Sequence, residues 1–308
     1  RATLQRGRAR VGENADFSGR FWCRLGSSEG SVHIRPPRKG SSMAAKHDVS
    51  PLAPKTTPTL PRIAGVKLAA AQSGVRYQGR DDVMLALVPA GATIAGVLTR
   101  SKTCSAPVDW CRKNLTRGKV RAIIVNAGNA NAFTGKLGDK AVEESTRAIA
   151  QALGCPRNEV FMASTGVIGQ PLDWEKIAAV VPALIKGARE DNWSSAAGAI
   201  MTTDTFPKLA TRQAKIGEKT VTLNGFLKGS GMIAPDMATM LAFIFTDAKV
   251  PGSVLQKLLT DAADKSLNCV TVDGDTSTSD TLLLAATGSA RHAPIEEADD
   301  PVLVDFKR

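Results

Sequence analysis

A layered fold of the α/β or α+β class is predicted by three features of the sequence. Apolar runs of strand length recur from Gly65 onward, they alternate with longer runs whose apolar positions follow helical spacing, and Gly, Pro and Asp punctuate the joins. A strand with an apolar face and a helix with an apolar stripe must each bury it against another element, so their alternation implies stacked layers. Periodicity leaves the choice between α/β and α+β open. At 308 residues, 43% apolar and 22% charged, the chain can build one large core or two smaller ones.

The elements follow in chain order. Residues 1–42 stand apart: they hold nine Lys/Arg against three Asp/Glu, lack apolar periodicity, and precede Met43-Ala-Ala-Lys46, which reads as a natural start before a Pro-rich lead-in over Ser50 to Arg62. They are read as an unstructured leader or upstream translation, with an organelle-targeting peptide as the alternative. Strands are expected over Val66 to Ala71, Val83 to Val88, Thr93 to Thr99, Val120 to Val125 and Glu159 to Ala163, where β-branched and apolar residues dominate. Helices are expected over Ala106 to Leu115, Asp139 to Leu153, Asp173 to Ile185 and Trp193 to Met201. Asp139 and Asp173 have the short acceptor side chain of an N-cap, and Gly154 suits a helix C-terminus. Leu209 to Ile216 and Thr220 to Leu227 read as a hairpin turning at Gly217-Glu218. After the strand Met240 to Phe245, Ser253-Val-Leu-Gln256 fits a capping box opening a helix to about Leu267. A short strand (Val270 to Val272), a polar loop (Asp273 to Asp280) and an apolar run (Leu282 to Ala286) complete the pattern.

Composition excludes several function classes. The net charge of +11 suggests nucleic acid, but residues 43–308 carry 31 Lys/Arg against 26 Asp/Glu, and Tyr77 is the only tyrosine. Basic patches interleaved with aromatics are missing, so no nucleic-acid partner is expected. No apolar run approaches bilayer length and no secretory pattern is present, so no membrane partner is expected and the expected location is cytoplasmic. The five cysteines are scattered without a Cys-x-x-Cys pair, which points to reduced, mostly buried thiols rather than disulfides or zinc. Asp273-Gly-Asp-Thr-Ser begins like a calcium loop, but Thr278 stands where glycine is required and Leu284 where glutamate should be; no metal is expected, and the loop is read as capping and turn chemistry. Asn126 to Gly135 fits neither phosphate-cradling glycine pattern and is read as a tight, amide-rich turn.

The chemistry centres on Lys228 to Asp247, where a Gly/Pro-rich turn enters an apolar strand and Ala238 precedes Thr239. A threonine hydroxyl inside a chain is a poor nucleophile, whereas an N-terminal threonine has its own α-amine as general base. With a reference amine pKa of about 7.7–8.0, part of that amine is unprotonated near neutrality. Cleavage between Ala238 and Thr239 would therefore create both halves of a catalytic unit, and Gly229, Gly231 and Pro235 can form the strained turn an acyl shift needs. A loop entering a buried strand is the plainer reading of the same residues. A Ser/His/Asp or Cys/His enzyme would need a histidine in a motif, and neither His47 nor His292 lies in one.

The stretch Lys228 to Leu241 resembles the self-processing site of the ornithine acetyltransferase family, also called glutamate N-acetyltransferase, of arginine biosynthesis. Three further segments resemble that family in the same order: Asn126 to Gly135 (NAGNANAFTG), Ala163 to Gly169 (ASTGVIG) and Met201 to Pro207 (MTTDTFP). A fifth is Thr271 to Asp280 (TVDGDTSTSD). The resemblance spans roughly Ser50 to Arg308, and the family's pattern continues beyond it. It implies a layered sandwich of the self-processing type, cut into an alpha chain (residues 43–238) and a beta chain of which 239–308 is the N-terminal part. Two of each are expected to form a heterotetramer. It further implies that Thr239 is the nucleophile, that Thr165 and Gly166 form the oxyanion hole, and that Thr202 and Lys228 contact the substrate. The implied reaction moves acetyl from N2-acetyl-L-ornithine to L-glutamate; no cofactor is expected, and acetyl-CoA is a substrate of some members. An amide hydrolase or aminopeptidase on the same scaffold, or an inactive fragment, is the alternative.

Overall fold

The computed structural model describes residues 49–51, 53–234 and 240–308, which fall within a single unit. The leader, His47 and the Ala238–Thr239 junction lie outside the described residues.

Among the described residues, nine strands form two sheets. The first has the order β1 (Lys67–Ala71), β2 (Val83–Leu87), β4 (Ala122–Asn129), β5 (Val160–Val167). The second has the order β3 (Thr93–Leu98), β9 (Thr281–Ala286), β8 (Leu241–Thr246), β7 (Lys219–Lys228), β6 (Lys208–Ile216). Each sheet contains one parallel pair, β4 with β5 and β8 with β9, and its other neighbours are antiparallel. The α-helices among the described residues are α1 (Ala106–Leu115), α2 (Gly135–Leu153), α3 (Trp174–Gly187), α4 (Trp193–Ala199) and α5 (Gly252–Asp264).

The two-residue period of the strands builds the layers. On β4, Ile123 and Val125 join a core with Phe243 and Phe245 of β8, whereas Ala122 and Ile124 join Ile149 of α2 and Val181 of α3. On β8, Ala242 faces the other way, into a core with Leu255 and Leu259 of α5. The order is helices, sheet, sheet, helix, with an apolar seam between the sheets. α4 closes one part of that seam: the Trp193 ring meets Phe245 edge-on at 5.7 Å and Phe226 at 6.4 Å. A strand covered on both faces needs apolar residues throughout, which is why Leu282 to Ala286 is an unbroken apolar run. Among the described residues, no helix is long and apolar enough to cross a membrane.

Several elements depart from expectation. β4 and β5 extend to Asn129 and Val167, because Ser164 Oγ donates to Asn126 Oδ1 at 2.6 Å and so satisfies polar side chains inside the sheet. The turn expected over Asn126 to Gly135 is therefore strand as far as Asn129. α2 starts a turn before Asp139; Thr134 Oγ1 donates to Asn131 Oδ1, and Asn131 Nδ2 donates to the Gly138 carbonyl, fastening the helix start to the preceding loop. Asp173 occupies the N-cap of α3 without a capping bond and pairs with Lys176 at 3.2 Å instead. Ser253 and Gln256 form no capping box: α5 opens at Gly252, and Gln256 reaches across to β3, accepting from the Gly96 N–H and donating to its carbonyl. Val270 to Val272 is not a strand, its Val272 N–H meeting only the Ile233 carbonyl. The four described cysteines are free thiols, but only Cys111 is buried, its pKa pushed by burial to about 12; Cys104 and Cys155 are half-buried and Cys269 is exposed.

Candidate active site

The site lies where the C-terminal end of the β4–β5 pair approaches the N-terminal ends of β8 and β9. On the first side, Thr165 and Gly166 are near the end of β5, and their parallel partners are Ala127 and Gly128 of β4. Gly166 has φ 131°, and a Cβ there would lie 2.3 Å from the Gly128 carbonyl carbon and 2.6 Å from the Asn129 nitrogen. Only glycine fits. Gly128, at φ 104°, is confined less tightly, by the Arg76 side chain, which a Cβ would meet at 2.8 Å. Main chain packs on main chain here, and amide side chains hold it: Asn126 Nδ2 donates to the Asn129 carbonyl at 2.9 Å, and Asn129 Oδ1 accepts from the Asn131 N–H at 2.7 Å.

Lys228 ends β7, opposite Leu241 at the start of β8. It is only 3% exposed, and its Nζ donates to Thr165 Oγ1 at 2.8 Å. A solvated loop lysine would show neither property. Burial pulls its ammonium below the ordinary lysine range, against the opposing pull of the Asp204 and Asp280 charges. Asp204 receives the Gly229 N–H at 2.8 Å and the Lys208 ammonium at 2.5 Å. Burial works against its ionisation, but those bonds together with the Lys208 and Lys228 charges outweigh it and hold the carboxyl below its usual range. Asp204 thereby fixes the corner at Lys228-Gly229.

Thr202 follows α4. Arg80 binds the end of that helix, donating to the Met201 carbonyl at 2.8 Å while its guanidinium lies 4.5 Å from the centre of the Tyr77 ring. Thr165, Gly166, Thr202 and Lys228 all line one cavity of about 430 Å³, with Arg76 and Ser279 among its other walls. Four of the residues singled out in the sequence thus converge. Thr239 lies outside the described residues; Met240, which follows it, is described, and its main chain is held on both sides. Its N–H donates to Asp280 Oδ1 at 2.6 Å and its carbonyl accepts from the Thr281 N–H at 3.0 Å.

Sequence reasoning missed Asp204 and Asp280 and assigned the loop ending at Asp280 to turn chemistry. That holds for Asp273, which accepts the Met232 and Ile233 N–H groups. It fails for Asp280, which is fully buried and whose carboxyl burial pushes up to about 8. His292 accepts the Lys249 N–H and stabilises a loop. No cluster of metal-ligating side chains occurs among the described residues.

Chemically, the arrangement suits stabilisation of a developing oxyanion. Lys228 occupies a lone pair of Thr165 Oγ1, which leaves the hydroxyl proton free to point into the cavity beside the glycine-rich main chain of Gly166. The ammonium has two more protons for a ligand.

Comparison with known proteins identifies the family. An arginine biosynthesis bifunctional protein ArgJ from Bradyrhizobium diazoefficiens is 55% identical over 261 residues, covering 84% of this chain and 63% of that protein. The chain therefore spans less than two thirds of the length of this relative. The crystal structure of an ornithine acetyltransferase complexed with ornithine, from Mycobacterium tuberculosis, superposes with a TM-score of 0.50 at 32% identity, over 57% of this chain and 92% of that one. An L-aminopeptidase D-Ala-esterase/amidase from Ochrobactrum anthropi, described as a variant of the Ntn hydrolase fold, shares the fold with a TM-score of 0.50 at 13% identity, over 82% and 84% of the two chains. The ArgJ family profile matches residues 67–307, and the chain belongs to the ArgJ family.

Proposed function

We propose that the chain is the acyl-transfer portion of a self-processing acetyltransferase. Cleavage between Ala238 and Thr239 frees the Thr239 amine, which then serves as base for its own hydroxyl. The hydroxyl attacks the acetyl carbonyl of N2-acetyl-L-ornithine, Thr165 and Gly166 stabilise the tetrahedral oxyanion, and ornithine leaves with the proton held by the amine. L-glutamate then takes the acetyl group from the Thr239 ester, in ping-pong order. Thr202 and Lys228 contact the substrate, Lys228 with the ammonium protons not given to Thr165. The reading needs no cofactor, since the base is built into the nucleophile; acetyl-CoA would act only as an alternative acetyl donor. Two alpha and two beta chains assemble in the cytoplasm.

The supporting observation is the buried Lys228–Thr165 hydrogen bond beside the sterically obligatory Gly166, on one cavity next to the start of β8. Burying an ammonium against a hydroxyl is costly for stability alone, and such costs concentrate at functional sites. Intact-mass analysis tests the reading. The parent chain is expected as two pieces, 1–238 and 239–308, with Thr239→Ala whole and Thr239→Ser cut more slowly. A parent that stays whole, or an alanine variant that still cuts, refutes it.

A further inference from the structure

Asp280 belongs to none of the roles above, although its surroundings are those of a working group. It is fully buried at the end of the polar loop, immediately before β9. One oxygen, Oδ1, accepts the Met240 N–H at 2.6 Å. The other, Oδ2, is buried and has no hydrogen-bond partner among the described residues, although the nearby Ser277 hydroxyl favours the ionised carboxyl. Buried carboxyl oxygens are seldom left unpaired, because the loss of hydration is then uncompensated. Its bonded oxygen is committed to the Met240 peptide, which follows the proposed nucleophile in sequence and precedes β8.

We propose that Asp280 is a positioning residue of the acyl-transfer site: through Oδ1 it fixes the Met240 main chain, and through its charge it keeps Lys228 an ammonium and a donor to Thr165. The proposal rests on the function proposed above and names a regulator of that same site. Lys228 lies between two carboxyl groups, Asp204 and Asp280, with the Lys208 ammonium opposing them. Asp204 is tied up by Lys208 and the Gly229 N–H and stays ionised. Asp280 changes charge near neutrality, burial having pushed it up to about 8. Ionisation converts the Met240 contact into a charge-assisted bond and adds a favourable charge beside Lys228. The site is therefore expected to strengthen as pH rises through about 8.

Self-cleavage is the decisive readout, because it precedes the existence of the Thr239 amine, whose own titration would otherwise fall in the same pH range. Parent, Asp280→Asn and Asp280→Ala chains are followed by intact mass from pH 6 to 10. The asparagine variant keeps an oxygen for the Met240 N–H but cannot ionise. It is expected to lose the rise near pH 8 and to cut at least tenfold more slowly than the parent at pH 9, with a cooperative thermal transition retained. The alanine variant, lacking both functions, is expected to be slower still. If the asparagine variant cuts with the parental rate and pH profile, the proposal fails and the proposed function stands. If the parent itself stays whole, both fall together.

Discussion

The two parallel strand pairs are alike in connectivity and unlike in what they bring to the site. β4 and β5 present their C-terminal end, where Gly128 and Gly166 pack main chain on main chain and the nearby polar groups are amides and hydroxyls. β8 and β9 approach with their N-terminal end, where a buried carboxyl holds the Met240 peptide. The first half is a rigid, non-titrating donor surface; the second carries a group whose charge changes near neutrality. Lys228 couples them, donating to Thr165 on one side and feeling the Asp280 charge on the other.

The largest effect is expected at the rigid half. Gly166→Ala puts a Cβ against the Gly128 carbonyl carbon in a backbone region that side chains avoid. Overpacking and strain together cost roughly 3–5 kcal/mol. A fall in melting temperature of about 6–15 °C with loss of self-cleavage is expected, by scanning calorimetry and mass analysis. A parental melting point would show that the close approach is not obligatory.

Next come the groups that join the halves. Thr165→Val and Lys228→Met are each expected to lower acetyl transfer on the order of 10²–10³-fold in kcat, measured on a protein extended to the relatives' length, as loss of an oxyanion-hole donor does. Lys228→Met also leaves the Asp204 and Asp280 carboxyls without its charge, so a loss of stability is expected beside the loss of transfer. A parental kcat per folded molecule would instead mark Lys228 as structural.

The titrating half predicts a pH dependence of stability. Asp280 binds its proton more tightly folded, at about 8, than unfolded, near the usual carboxylate value. Between those values the native state holds the extra proton, so this group's contribution is full below the unfolded value and declines as pH rises toward 8, by up to ~1.4 kcal/mol per unit. Asp280→Asn should flatten the decline of urea unfolding free energy between pH 5 and 8. An unchanged slope would assign the decline to other groups. The smallest effect is expected for Thr165→Ser, which keeps the oxygen that Lys228 binds; a loss of transfer under about fivefold would locate the function in the hydroxyl rather than the methyl.

Much of this was legible from local pattern. α1 has its expected bounds, the hairpin turns at Gly217 with φ 58°, and Gly154 ends α2 in a left-handed conformation, because caps, turns and apolar periods are properties of neighbouring residues. Thr165, Gly166 and Lys228 were singled out only through the family resemblance, and the structure places them on one cavity. Gln256 misled because its side chain was spoken for by Gly96, a residue distant in sequence. Asn126 and Ser164 misled likewise, each hiding a strand by pairing with the other.

By itself the sequence determined the layered class, the order of most elements and the residue types suited to acyl transfer, since these depend on short-range spacing. Only the tertiary structure decided which polar residues lose their water. Asp204, Lys228 and Asp280 read as ordinary charges along the chain, and it is the stacking of two sheets that brings them into electrostatic reach and sets the direction of each titration. Burial and neighbouring charge shift a pKa through space, and no local pattern encodes that neighbourhood.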